Sequence, residues 1–212
     1  MNRLAGLVFA YFIAVIIMAT LTGGAQTAGK LAPFEECVLT SEDYAVYSAV
    51  LLDRGKPEDP EERWDDKPEL IISDVTDSGH DGKSRMWGFR SASKQRPSDD
   101  TVEHFNLRRQ ISCHLKAQLD TKIAYQFLSE AEYNRFFKKA NLVAAWEGFY
   151  KKYPKSSGFW NFSPVGYDSN GGEALVYVGH HCGGLCGTGH LVLLAKENGH
   201  WIVKNRIMLW IS

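Results

Sequence analysis

Residues 174–212 read ALVYVGHHCGGLCGTGHLVLLAKENGHWIVKNRIMLWIS. Asn198-Gly199 divides two apolar runs, and Asn-Gly in that position is the strongest short signal of a β-hairpin, because both central residues must take positive φ. A two-residue turn there pairs Glu197 with His200, Lys196 with Trp201 and Leu194 with Val203. Strict alternation then puts Val192, Leu194, Trp201, Val203 and Ile207 on one face. Leu191, Leu193, Ala195 and Ile202 fall on the other, beside Lys204 and Arg206. Further turn chemistry at Asp168-Ser169-Asn170-Gly171-Gly172 separates an earlier period-two stretch that starts at Phe159. Four antiparallel strands are expected near 159–167, 173–181, 189–197 and 200–211, with the N-terminal and middle helices covering one face of that sheet. The fold class expected is therefore α+β.

Upstream the period is helical. Thr40 and Asp43 have capping-box spacing, and Tyr44, Tyr47 and Leu51 follow at helical intervals, which predicts a helix over 41–53. Residues 54–69 hold three prolines and many charges, the composition of a solvated loop. Leu70-Ile71-Ile72-Ser73-Asp74-Val75 reads as a short strand. Residues 77–101 read as a polar, Gly/Ser-rich loop with a strand fragment around Met86-Trp87-Gly88-Phe89. Asp99-Asp100 then open a helix in which Leu107, Ile111 and Leu115 recur every four residues. Ser129 with Glu132 forms a second capping box ahead of Tyr133, Phe136 and Phe137. Trp146, Phe149, Tyr150 and Tyr153 continue a helical stripe until Pro154 ends it. An aromatic stripe of this kind is core before it is a cofactor box.

The N-terminus carries an address. Met1-Asn2-Arg3 is a short positive start, and Leu4–Leu21 runs without a charge before the small residues Thr22-Gly23-Gly24-Ala25. That is the layout of a signal peptide cut after Ala25, leaving a single α+β domain over 26–212. The alternative is an uncleaved N-terminal anchor. The expected location is periplasmic or secreted, with no stable membrane span once the leader is removed. Lys plus Arg total 24 against 25 Asp plus Glu, a net charge of −1 that gives no electrostatic footprint for nucleic acid. In an oxidising compartment the four cysteines are disulfide candidates first. Cys182 and Cys186, four apart in a glycine-rich loop, can join, which leaves Cys37 with Cys113. The competing reading makes Cys113 an unpaired core residue of its helix.

Most motifs fail on inspection. Asp77 occupies the position where a phosphate loop ending in Gly82-Lys83-Ser84 needs glycine. A calcium loop starting at Asp77 lacks both its third ligand, at Gly79, and its last, at Gly88. Gly179–His190 is different, with five glycines, two cysteines and three histidines in twelve residues. The candidate functional loop comprises His180, His181, Cys182, Gly183, Gly184, Cys186, Gly187 and His190. Three readings compete. The first is a structural turn pinned by Cys182–Cys186. The second is a zinc site of Cys182, Cys186 and a histidine, opposed by the divergence of His180 and His181 along a strand. The third is a thiol activated near His190, or a nest of glycine N–H groups for an anion. No carboxylate is placed to orient His190, which opposes the thiol reading, and the wide C-x3-C spacing and export oppose the zinc one; no metal and no cofactor is expected.

Ala145–Pro154, Phe162–Tyr167, the segment 174–212 and Asp43–Ser48 together resemble a family of uncharacterised exported bacterial proteins. The resemblance implies a bacterial, periplasmic setting and a single domain, and no activity or site residues. The function expected is a non-catalytic binding or interaction module for a protein or cell-envelope ligand, whose identity the residues do not specify. The alternative is a thiol- or zinc-dependent enzyme using the Cys182–Cys186/His190 loop.

Overall fold

The computed structural model describes residues 37–53, 69–77, 96–138 and 141–212. The leader, most of the charged loop 54–69, and residues 78–95 with their Met86–Phe89 fragment lie outside the described residues. The described chain runs α1 (Ser41–Asp53), β1 (Glu69–Ser73), α2 (Asp99–Arg108), β2 (Ala124–Leu128), α3 (Glu130–Phe137), α4 (Leu142–Lys152), β3 (Phe159–Phe162), β4 (Gly166–Tyr167), β5 (Glu173–Gly183), β6 (Cys186–Glu197) and β7 (His200–Ile211). These strands form one seven-stranded sheet in the order β2-β1-β3-β5-β6-β7, with β4 pairing β5 to one side.

The four-stranded antiparallel sheet is overturned. β1 pairs in parallel with both β2 and β3, so the sheet is mixed. Parallel neighbours need long crossovers, and the helices of the chain's middle supply them. Leu70, Ile71 and Ile72 are all buried. A continuous apolar run of this kind is the mark of a strand covered on both faces. The helices accordingly lie on both faces, not one. Tyr44, Tyr47, Val50 and Leu51 of α1 pack with Ile72, Trp160, Phe162, Val176, Val192 and Leu194. On the other face Phe149 and Tyr153, around the end of α4, pack with Ile71 and Phe159, with Phe136 and Phe137 of α3 alongside.

The hairpin at Asn198-Gly199 forms as its chemistry demands, with φ of 50° and 83° and the expected pairs Glu197 with His200, Lys196 with Trp201 and Leu194 with Val203. Beyond Val203 the alternation slips. Leu194 faces Val203 but Leu193 faces Asn205, so Lys204 is an extra residue in the ladder. One bulged residue sends the side chains that follow to the opposite face, as far as a second shift at Leu209. Ile207 therefore packs with Leu191 and Leu193 rather than with Val192 and Leu194. Arg206 moves to the α1 face, where it donates to the Val50 carbonyl at 3.2 Å and pairs with Asp53. The strand expected over 159–167 is broken by Ser163-Pro164-Val165 into β3 and β4.

The helix begun at Asp99 ends at Arg108 instead of reaching Leu115. Leu107 and Ile111 are exposed, and the helix buries Thr101 and Phe105. Residues 113–115 instead run extended along β1's continuation. The Thr76 amide donates to the Cys113 carbonyl at 2.9 Å and the Leu115 amide to the Asp74 carbonyl at 2.7 Å. The Thr40–Asp43 and Ser129–Glu132 caps form as read, each with an N–H to hydroxyl bond of 3.3 Å. Asp43, fully buried, also takes Arg108 at 2.7 Å and the Tyr167 hydroxyl at 3.2 Å, tying α1 to α2 and β4.

Candidate functional site

The glycine-rich segment forms the closed end of the β5–β6 hairpin. His181 pairs with Gly187, and Gly183 with Cys186 after a one-residue irregularity. Cys182 and Cys186 form a disulfide across the tip, with Cα atoms 5.1 Å apart. Cys37 and Cys113 form a second, at 4.9 Å, joining the chain ahead of α1 to the extended segment beside β1. Both separations suit a disulfide. Two disulfides point to an oxidising, extracytoplasmic compartment. Among the described residues no helix is long and apolar enough to cross a membrane.

The three histidines divide between the faces. His180 lies on the α1 face, stacked on Trp160 with centroids 4.5 Å apart and its Nε2 3.5 Å from Ser157 Oγ. His190 shares that face and is almost fully buried. Burial, and then the charge of Arg206, push its pKa down to about 4, so it is neutral at pH 7. His181 points the other way, between Phe159 at 4.9 Å and Trp210 at 5.3 Å. Among the described residues no three His, Cys, Asp or Glu side chains are grouped to hold a metal ion. With both sulfurs bonded to each other, Cys182 and Cys186 present neither a thiolate ligand nor a thiolate nucleophile.

The glycines act as a floor on the His181 face. Gly179 pairs with Gly189, and Gly189 with Trp210. A Cβ on Gly189 would overlap the Trp210 indole, whose N–H donates to the Tyr177 hydroxyl at 3.2 Å. A Cβ on Gly179 would collide with Asn161 Oδ1 and sit 2.8 Å from Tyr177 Oη and 3.2 Å from His181 Nε2. Asn161 is oriented by donating its amide to Asp77 at 2.9 Å. Asn161, Tyr177 and Trp210 were not candidates in the sequence, and Asp77 was weighed only as the start of a phosphate or calcium loop, because their proximity arises from pairing between distant segments.

The tip also meets α4. Tyr150 donates its hydroxyl to the Cys182 carbonyl at 2.8 Å. Gly184 packs so closely on Leu142 that a Cβ would lie 3.1 Å from its Cδ2. Between them runs a groove of about 400 Å³ lined by Leu142, Val143, Trp146, Glu147, Tyr150 and Gly184. Leu142 is 53% exposed, Val143 70% and Leu185, next to Gly184 in the tip, 91%. Asn141 caps α4 by accepting the Ala144 amide at 2.8 Å, which fixes the first helical turn where Leu142 and Val143 stand.

Of the loop residues read from the sequence, Gly184 lines this groove, Cys182 is joined to it through the Tyr150 hydroxyl, and Cys186 is bonded to Cys182. His180 and His190 are held in the opposite face of the sheet, and Gly187 lies beneath Trp210. The α4 side was missed because its aromatic stripe reads as core, and Trp146, Phe149 and Tyr150 do pack there. The usable signal was Leu142-Val143, apolar residues that follow directly on the cap. Comparison of the chain with protein-family models, with curated proteins and with solved structures finds no match.

Proposed function

We propose that the protein is an exported binding module that holds an apolar polypeptide segment in the groove between α4 and the β5–β6 tip. Leu142 and Val143 carry this reading: two large aliphatic side chains that line one groove stand mostly in water, and Leu185, also exposed, follows the groove residue Gly184 in the tip. Apolar residues scattered singly over a surface are ordinary, but a contiguous cluster at a concavity is characteristic of a contact site. The lining offers aliphatic and aromatic surface with a single carboxylate, Glu147. A sugar-rich envelope ligand calls for several converging polar groups, whereas an aliphatic or aromatic anchor of a protein calls for what is here. Export by a signal peptide removed after Ala25, into a bacterial periplasm or the medium, is the setting proposed. The N-terminal pattern and the two disulfides support it.

The test is fluorescence anisotropy with two labelled synthetic peptides that differ only in carrying Leu and Phe anchors or Ser in their place. Saturable binding of the apolar peptide alone, weakened at least tenfold by Leu142→Asp and Val143→Asp together, is the expected result. Equal behaviour of the two peptides overturns the reading.

A further inference from the structure

We infer that the Cys182–Cys186 disulfide is a site of thiol–disulfide exchange with a dithiol polypeptide seated in the neighbouring groove. The inference rests on the groove as a polypeptide site and adds a covalent chemistry to it.

The two disulfides differ in the features that decide reactivity. Cys113 is fully buried, and its bond closes a sequence separation of 76. Cys186 is exposed, Cys182 half-buried, and their bond spans a separation of 4. Attack on a disulfide requires access to one sulfur along the bond, so the exposed tip is the reactive one. The pairs from Glu173 with Ala195 to His181 with Gly187 lie outside the ring closed by Cys182 and Cys186. Opening that ring therefore leaves the hairpin's ladder in place, and the reduced chain remains folded.

Access alone would make this disulfide a substrate for any thiol. The groove supplies the selectivity. Gly184, inside the five-residue ring, is also the groove wall against Leu142, and Tyr150 joins the groove lining to the Cys182 carbonyl. A polypeptide whose apolar side chain lies over Trp146 and Val143 holds a nearby cysteine beside Cys186. Positioning of this sort raises the effective concentration of the attacking thiolate over that of a small thiol in solution.

The step balances as follows. A partner thiolate attacks Cys186 Sγ, forming a mixed disulfide and expelling Cys182 as a thiolate that takes up a proton. The partner's second thiol, losing its proton, attacks the partner's own sulfur in that mixed disulfide and releases Cys186 as a thiol. The partner is oxidised by two electrons to a disulfide, and Cys182–Cys186 is reduced to two thiols.

The experiment uses the purified oxidised chain and two synthetic peptides with the same pair of cysteines, one carrying Leu and Phe beside them and the other Ser. Appearance of Cys182 and Cys186 thiols is followed by alkylation and peptide mapping. The apolar dithiol is expected to react at least tenfold faster than the polar one. That advantage disappears with Leu142→Asp/Val143→Asp or with Leu185→Ser, and persists with Ile202→Ser, near the start of β7 opposite the far end of β6. A monothiol version of the apolar peptide, with Ser for its second cysteine, lacks the resolving thiol and is expected to accumulate a mixed disulfide with Cys186 of the intact Cys182–Cys186 bond, at least tenfold more than with Cys182. Equal rates for the two peptides, or an advantage that survives both groove variants, overturn the proposal. Versions of the peptides with Ser for both cysteines separate the two ideas. Apolar binding without a rate advantage sinks the exchange chemistry alone, and no binding at all sinks the groove with it.

Discussion

Gly189→Ala is the substitution whose effect the sheet geometry determines most tightly. The new Cβ would overlap Nε1 of Trp210 and stand 2.7 Å from Cδ1. Gly189 and Trp210 are ladder partners, so the backbones cannot separate without unzipping β6 from β7. The indole must swing away instead. It then loses the hydrogen bond to Tyr177, worth about 1 kcal/mol, and its contact with His181. Forcing a methyl into a packed site adds about 1–3 kcal/mol. The sum is about 2–4 kcal/mol, or a fall in Tm of roughly 4–16 °C for a chain of this size. Thermal unfolding followed by far-UV circular dichroism reads it, with Gly172→Ala as the control. There the nearest atom is Asp168 Oδ2 at 4.0 Å, and a change within about 0.5 kcal/mol is expected. In a Trp210→Ala background Gly189→Ala should become nearly neutral, because the clash has gone. A full penalty in that background, or none in the native one, would refute the packing described.

Gly199→Val should destabilise by about 1–3 kcal/mol, since Gly199 holds φ at 83° and a β-branched residue is strained there; an unchanged urea midpoint contradicts this. His190 has a folded-state pKa of about 4 against 6.5 when unfolded, so the unfolded chain binds the extra proton between those values. Stability is then complete above pH 6.5 and falls by about 3 kcal/mol as the pH drops to 4. His190→Leu should flatten that part of the pH–stability curve, and an unaltered slope would place the acid sensitivity elsewhere. Chain entropy assigns about 4.5 kcal/mol to the Cys37–Cys113 bond and about 2 kcal/mol to Cys182–Cys186. Guanidinium unfolding of the two double-serine variants should show that order, and the reverse order would contradict it.

Local chemistry was legible where one or two residues decide the geometry. Asn198-Gly199 specified a hairpin and its first pairs, Thr40 with Asp43 and Ser129 with Glu132 started helices, and Pro154 followed the end of one. Longer-range features were not. The bulge at Lys204 has no glycine or proline to announce it, yet it changes the faces of Arg206 and Ile207. Tyr125 and Phe127 alternate in β2, but an edge strand half in water gives a weak pattern, and nothing local identifies β1 as its parallel partner. Leu115 matched the helical period of Leu107 and Ile111 by coincidence, and its burial comes from pairing with Asp74. The candidate site divided in the same way. The cysteine tip was visible as composition, while Leu142 and Val143 acquire meaning only once α4 is placed beside Gly184.

The central claim is that the groove beside the disulfide tip contacts another polypeptide. Photo-crosslinking tests it most directly, with benzoylphenylalanine placed at Val143 in one preparation and at Gly171, an exposed turn with open space around it, in another. Carried out in the cells that make the protein, position 143 is predicted to yield a discrete polypeptide adduct, identifiable by mass spectrometry and diminished by Leu142→Asp. Adducts absent at 143, or the same from 143 and 171, would contradict the claim.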